Sequence, residues 1–278
     1  MRRILQALVL SAAASFGGCY SHSLRDAPNP DFNTVQNEDW NQYISQISDR
    51  CERSKIDTID LNENEFSRYF DWLNELTGKN FAMKNFNIVP SNPLMAFFDA
   101  GPLMFFARKG TFVYGTIYVH NECLSLHGIA HEYGHFTDSH LSSASYFFSR
   151  RSKIRSEAVA ESFAHYVGLE LMRLGNRINF SDESENKTRN TILELAECQT
   201  LEGVLDLETY QSARCLAFIL MNEFREMGKV WYYLAITGDS TVYANIERLI
   251  AVNGGVAAAI RNGASLANQE KEKYINLQ

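Results

Sequence analysis

The chain has 278 residues, 45% of them hydrophobic and 21% charged, enough apolar content for one large or two small packed domains and too much for intrinsic disorder. Its formal charge of -7 and lack of basic runs argue against nucleic acid as a partner, because phosphate binding rests on clustered Lys and Arg.

The elements begin with an export signal. Arg2 and Arg3 precede an apolar run from Ile4 to Phe16 and then small residues before Cys19, the arrangement of a signal peptide over 1–18. The ending Phe16-Gly17-Gly18-Cys19 resembles the lipobox of bacterial lipoproteins. That resemblance implies signal removal, lipidation of Cys19 and an exported protein anchored by lipid to a membrane of the bacterial cell envelope, facing periplasm or cell surface. A plain cleaved signal and an uncleaved anchor are the alternatives. Residues 19–40 are polar, contain Pro28 and Pro30, and read as a flexible tether. No later apolar run reaches the roughly 18 residues of a membrane-spanning helix.

Residues 41–278 are expected to form one domain, with an N-terminal helix and strands over 41–120 and a helical half over 121–278. In the stretch 62–78, Phe66, Tyr69, Phe70 and Leu73 recur at helical spacing and Gly78 supplies the stop. The stretches 86–91, 94–100 and 111–120 then read as strands between proline and glycine signals. From 122 onward the pattern is helical, with candidate helices at 122–137, 154–174, 190–199, 207–227 and 243–262. Gly175, Gly203, Gly228, Gly238 and the pair Gly254-Gly255 are the breaks between them. A short mixed β-sheet region followed by a mainly helical half is an α+β arrangement. If Cys19 carries lipid, Cys51, Cys123, Cys198 and Cys215 remain. They allow two disulfides in three connectivities, or buried thiols, and no close pair suggests a cysteine metal site.

Four of the seven histidines fall between His127 and His140, two of them in the order His131-Glu132-Tyr133-Gly134-His135. Residues four apart share one helix face, so His131 and His135 can point ring nitrogens at one ion about 2.0 to 2.1 Å away, the zinc–imidazole distance. Glu132, turned about 100° round the helix, can reach a water beside that ion and serve as general base. The apolar flanks Leu126, Ile129, Ala130, Tyr133 and Phe136 predict a buried helix, on which two histidines need partners. Two satisfied core histidines with an ion-paired glutamate are the alternative. Gly134 costs about 1 kcal/mol against alanine inside a helix, which close approach of a neighbouring backbone would explain. Downstream, Glu157 and Glu161 lie four apart on one face of a second helix and offer a third ligand, with exposed carboxylates the plain alternative.

The stretch from Glu157 to Ala164 resembles the second active-site helix of the gluzincin metallopeptidases, the HExxH group that includes thermolysin, the zinc aminopeptidases and the bacterial collagenases. The resemblance implies a zincin-like fold with the active site between sheet and helices. It also implies Glu157 as zinc ligand and Glu161 as the outer partner of His131 or His135, with Glu161 the rival for the ligand position. The 21 residues between His135 and Glu157 fall within the family's range. His131 to Asp138 is similar to the collagenase form of the motif, and Glu208 to Phe224 to the helix that carries an oxyanion-stabilising tyrosine, here Tyr210. No glycine follows Tyr210 at the family's usual fourth place. Stretch 111–120 takes the place of the sheet edge along which substrate lies, or of an interior strand.

The resemblance covers about residues 111–235 and implies a zinc metallopeptidase that hydrolyses a peptide or protein substrate through metal-activated water, with Glu132 as general base. A non-catalytic zinc-binding envelope lipoprotein of the same fold is the alternative. Among the other histidines, His127 could bond a site carboxylate or pack structurally, His140 is turned away from the ion, and His165 continues the Glu157 face as an oxyanion donor or a core residue.

Overall fold

The computed structural model describes residues 63–78, 86–89, 110–113, 116–120, 126–140, 149–174 and 200–275. The expected signal peptide, Cys19, the tether, the strand at 94–100, the helix at 190–199, and Cys51, Cys123 and Cys198 lie outside them.

Helix α1 (Glu63–Thr77) follows the expected period, with Tyr69, Phe70, Trp72 and Leu73 fully buried. It stops at Gly78, whose φ of +61° is a left-handed conformation that glycine adopts without the Cβ penalty. Three short strands follow: β1 (Phe86–Val89), β2 (Gly110–Val113) and β3 (Thr116–His120). They pair in the order β1-β3-β2, with β1 parallel and β2 antiparallel to β3. The single strand expected over 111–120 is therefore two segments, with Val113 opposite Thr116 and Phe112 opposite Ile117. β3 is the middle segment, so the expected substrate edge does not fall on 116–120.

The expected α+β class does not hold. The body is all-α: eight helices carry most of the described residues, and every side chain of the described core sits on a helix or at a helix end. The strands are short, four or five residues each, whereas the amphipathic helices each bring a whole face to the core.

Helix α2 (Leu126–Thr137) carries the histidine pair, and α3 (Arg150–Arg173) is the long central helix against which α2 packs. Ser149 caps α3 by accepting from the Ser152 backbone N–H. Helices α4 (Leu201–Leu205), α5 (Thr209–Phe224), α6 (Met227–Ile236), α7 (Asp239–Val252) and α8 (Val256–Ile275) complete the body. α5 and α6 pack on α3, and α5 also packs on α8. The helix expected over 207–227 ends early, because Arg225 turns left-handed at φ 60° and a new helix begins at Met227; Gly228 lies inside that helix. The helix expected over 243–262 is two, because Gly254 and Gly255, at φ 78° and 125°, part α7 from α8.

Two contacts fix α2 on α3. A Cβ at Gly134 would stand 2.7 Å from the Ala160 Cα, closer than real contacts allow, so only glycine permits this backbone approach. Beside it, the fully buried Arg155 side chain donates to both Asp138 oxygens at 2.9 and 3.0 Å, to Asp239 at 2.5 Å and to the Leu234 carbonyl at 2.8 Å. Ser152 also donates to Asp239. On the other side of α2, Tyr133 donates to Asn74 at 2.8 Å, shares a 3.0 Å bond with Thr77 and stacks on Phe163, tying α1 to the same unit. The histidine turn is held from both flanks.

Candidate metal centre

The approach at Gly134 brings one turn of α2 against one turn of α3. There His131, His135 and Glu157 are buried and offer ligand atoms that all lie within 4.8 Å of one another. Glu157 Oε2 is 3.4 Å from His131 Nε2 and 3.8 Å from His135 Nε2. A tetrahedral zinc with bonds of about 2.0 to 2.1 Å holds its ligand atoms roughly 3.3 to 3.4 Å apart. The first spacing already matches, and the second needs a shift of a few tenths of an ångström. These three residues could hold a metal ion.

Both imidazoles are oriented from behind. Glu161 Oε1 is 3.2 Å from His131 Nδ1, and Ser156 Oγ is 3.3 Å from His135 Nδ1. With each Nδ1 engaged, each Nε2 is turned toward Glu157, the tautomer arrangement that metal-ligating histidines use. Of the two candidate carboxylates, Glu157 faces the Nε2 atoms and Glu161 stands behind His131, itself bonded to Arg214 Nε at 2.8 Å.

The electrostatics favour a cation. Burial works against a charged His131 ring, but Glu157 and Glu161 outweigh it and hold its pKa well above the usual value. For His135 burial outweighs the pull of Glu157, Asp138 and Glu161 and pushes it down to about 4. Glu157 resists the upward push of burial because His131 and His135 draw its pKa below the ordinary value. Glu161 is held lower still, its burial offset by Arg214 and His131. Burial raises Glu132 to about 7. The carboxyl groups of Glu132, Glu157 and Glu161 thus gather around the His131 ring, with the Arg214 guanidinium behind Glu161. Among the described residues, Glu132 Oε2 has no hydrogen-bond partner and Glu157 Oε2 reaches only the two imidazole nitrogens at 3.4 and 3.8 Å, although buried acceptors normally have a well-formed bond. The chemistry of this donor set, two imidazoles and a carboxylate with spare carboxylate oxygen, fits a divalent ion.

Tyr210, the second residue of α5, stands close by, its ring centroid 5.8 Å from that of His131 and its side chain half-exposed. The remaining histidines are not drawn into the ligand set. His140 pairs its Nε2 with the Ile236 carbonyl at 3.3 Å on the α6 side, turned away as its spacing suggests. His165 is partly buried, and desolvation, with His127, Lys271 and Arg214 adding to it, pushes it down to about 4. Cys215 is buried in the core on α5.

Sequence reading passes over three contributors. Arg214 follows Tyr210 by four residues and shares its helix face, a spacing that marks it once Tyr210 is singled out. Ser156, beside the third ligand, gives no signal of its own. Arg155 is legible in principle, since an arginine inside the apolar stretch 154–164 needs an acid, and Asp138 at the end of the histidine motif is that acid. No family model matches the chain, and neither the curated proteins nor the solved structures give a match.

Proposed function

We propose that the chain is a zinc-dependent metallopeptidase of gluzincin type, exported and held at a membrane through lipid on Cys19. The observation that carries this reading is the convergence of His131, His135 and Glu157 next to a buried, hydrogen-bond-free oxygen of Glu132. Zinc held by these three would supply Lewis acidity, polarising a peptide carbonyl and lowering the pKa of an attacking water toward about 7. The remaining steps belong to side chains. Glu132 accepts a proton from the water as its oxygen bonds to the carbonyl carbon, then returns it to the amine nitrogen as the C–N bond breaks. Tyr210, from the edge of the site, donates its hydroxyl to the oxyanion that forms on the former carbonyl. Glu161 and Ser156 keep the two imidazoles aimed throughout.

The test is Glu132→Gln in the mature domain. It is expected to retain zinc and to lose peptide hydrolysis by about 10²- to 10⁴-fold, the usual contribution of a positioned general base. If the zinc-loaded wild-type domain cleaves nothing in a broad peptide library, catalysis is the wrong reading and a non-catalytic zinc-binding lipoprotein takes its place.

A further inference from the structure

Behind the ligands, one cation continues the site into the protein. Arg214 Nε donates to Glu161 Oε2 at 2.8 Å, while the other oxygen of that carboxylate is 3.2 Å from His131 Nδ1. Arg214 lies one turn after Tyr210 on α5, and Tyr210 packs its ring 5.8 Å from the His131 ring. Helix α5 therefore meets this one imidazole twice, directly through Tyr210 and indirectly through Arg214 and Glu161.

The chemistry of the relay is directional. A guanidinium on one oxygen keeps the Glu161 carboxylate ionised and fixes its rotation, because Arg presents its N–H groups in a rigid planar fork. The second oxygen is then held as an acceptor against His131, so Nδ1 carries the hydrogen and Nε2 keeps its lone pair on the Glu157 side. The Glu161 side chain is only 10% exposed, so its carboxylate depends on Arg214 and His131 as its charged partners. Resting on the metal reading above, we propose that Arg214 is a positioning residue of the centre: through Glu161 it sets the tautomer and aim of His131, and it holds the Tyr210 helix against that ligand.

The experiment is a double-mutant cycle on the full mature chain, since such a cycle separates action through Glu161 from independent packing. Zinc affinity by chelator competition and the visible spectrum of the cobalt-substituted protein are recorded for wild type, Arg214→Met, Arg214→Lys, Glu161→Gln and the Arg214→Met/Glu161→Gln double variant. Melting of each metal-free protein is followed alongside. Arg214→Met is expected to weaken zinc by about tenfold, the low end of what removal of an outer-shell partner costs, and to alter the cobalt spectrum. Arg214→Lys should restore part of the affinity, because the charge remains while the fork is lost, and it serves if Arg214→Met does not fold. In the Glu161→Gln background the same arginine change should cost no more than about twofold. Equal losses in both backgrounds, or a lowered melting temperature with unchanged affinity and spectrum, would overturn the proposal. A wild type that takes up neither zinc nor cobalt overturns the metal reading and this inference together, whereas tight wild-type binding untouched by Arg214→Met overturns this inference alone.

Discussion

Helix α3 buries carboxylates near both of its ends and completes them in different ways. Toward the C-terminal end, Glu170 accepts from Arg173 at 2.8 Å and from the Tyr274 hydroxyl at 3.3 Å. Glu270, from α8, takes the Met227 backbone N–H with both oxygens, at 2.9 and 3.2 Å. Protein donors close that cluster, and burial pushes Glu270 up to about 7. Between three and four turns earlier, Glu157 Oε2 faces two imidazole nitrogens at 3.4 and 3.8 Å, too far or too poorly aligned to close a hydrogen bond of ordinary geometry. Residue type and burial are the same at both ends. Closure is what differs, and it separates a structural acid cluster from a candidate site, because a buried polar atom left unpaired costs about 1 to 3 kcal/mol that a ligand can recover.

The comparison can be broken most forcefully at a closed network. Arg155 is two residues from Glu157, yet its charge is satisfied by Asp138, Asp239 and the Leu234 carbonyl. Arg155→Ala should cost about 3 to 5 kcal/mol in chemical denaturation, since it leaves two carboxylates facing each other without their cation. A loss under about 1 kcal/mol would mean that closure contributes little here and that the contrast drawn along α3 is empty.

Gly134→Ala acts at the junction of the two ligand helices. The added methyl meets the Ala160 backbone, so α2 and α3 must separate, at about 1 to 3 kcal/mol. Metal affinity should fall with it, whereas the spectroscopic environment of Tyr274 near Glu170 should not change. Equal disturbance at both clusters would show that the two ends of α3 are not independent.

Glu270→Gln has the smallest expected effect and tests the protonated end. Because the folded pKa of Glu270 is raised to about 7 from 4.5, the unfolded chain releases the proton first, and wild-type stability falls as pH rises between those values. The glutamine variant keeps the acceptor for Met227 and carries no titrating group. The two proteins should therefore have similar stability near pH 4, and the variant should be the more stable at pH 8. Parallel stability curves across that range would show that Glu270 is not protonated in the fold.

Much of the candidate metal site is legible in the sequence, and less of the fold. His131, His135, Glu157 and Glu161 declare themselves through spacings of four on apolar helices, which is enough to set faces and therefore neighbours. Gly78, Gly254 and Gly255 mark helix ends because a positive φ favours glycine. Arg225 ends a helix in the same conformation without any compositional sign, so the boundary near it is misplaced. The β-type stretches mislead for a different reason. Alternation over four or five residues shows that a segment can pair, but whether it forms a layer of the core depends on contacts that no local pattern contains. Arg214 needed the third dimension as well, since its meaning lies in Glu161, 53 residues away.

The most direct test of the central contrast is zinc titration of the mature domain, followed calorimetrically, beside the variants Glu157→Ala and Glu170→Ala. One zinc per chain in wild type, a loss of binding in Glu157→Ala and unchanged stoichiometry in Glu170→Ala is the predicted result. Wild type without zinc uptake, or Glu157→Ala binding as tightly as wild type, would contradict it.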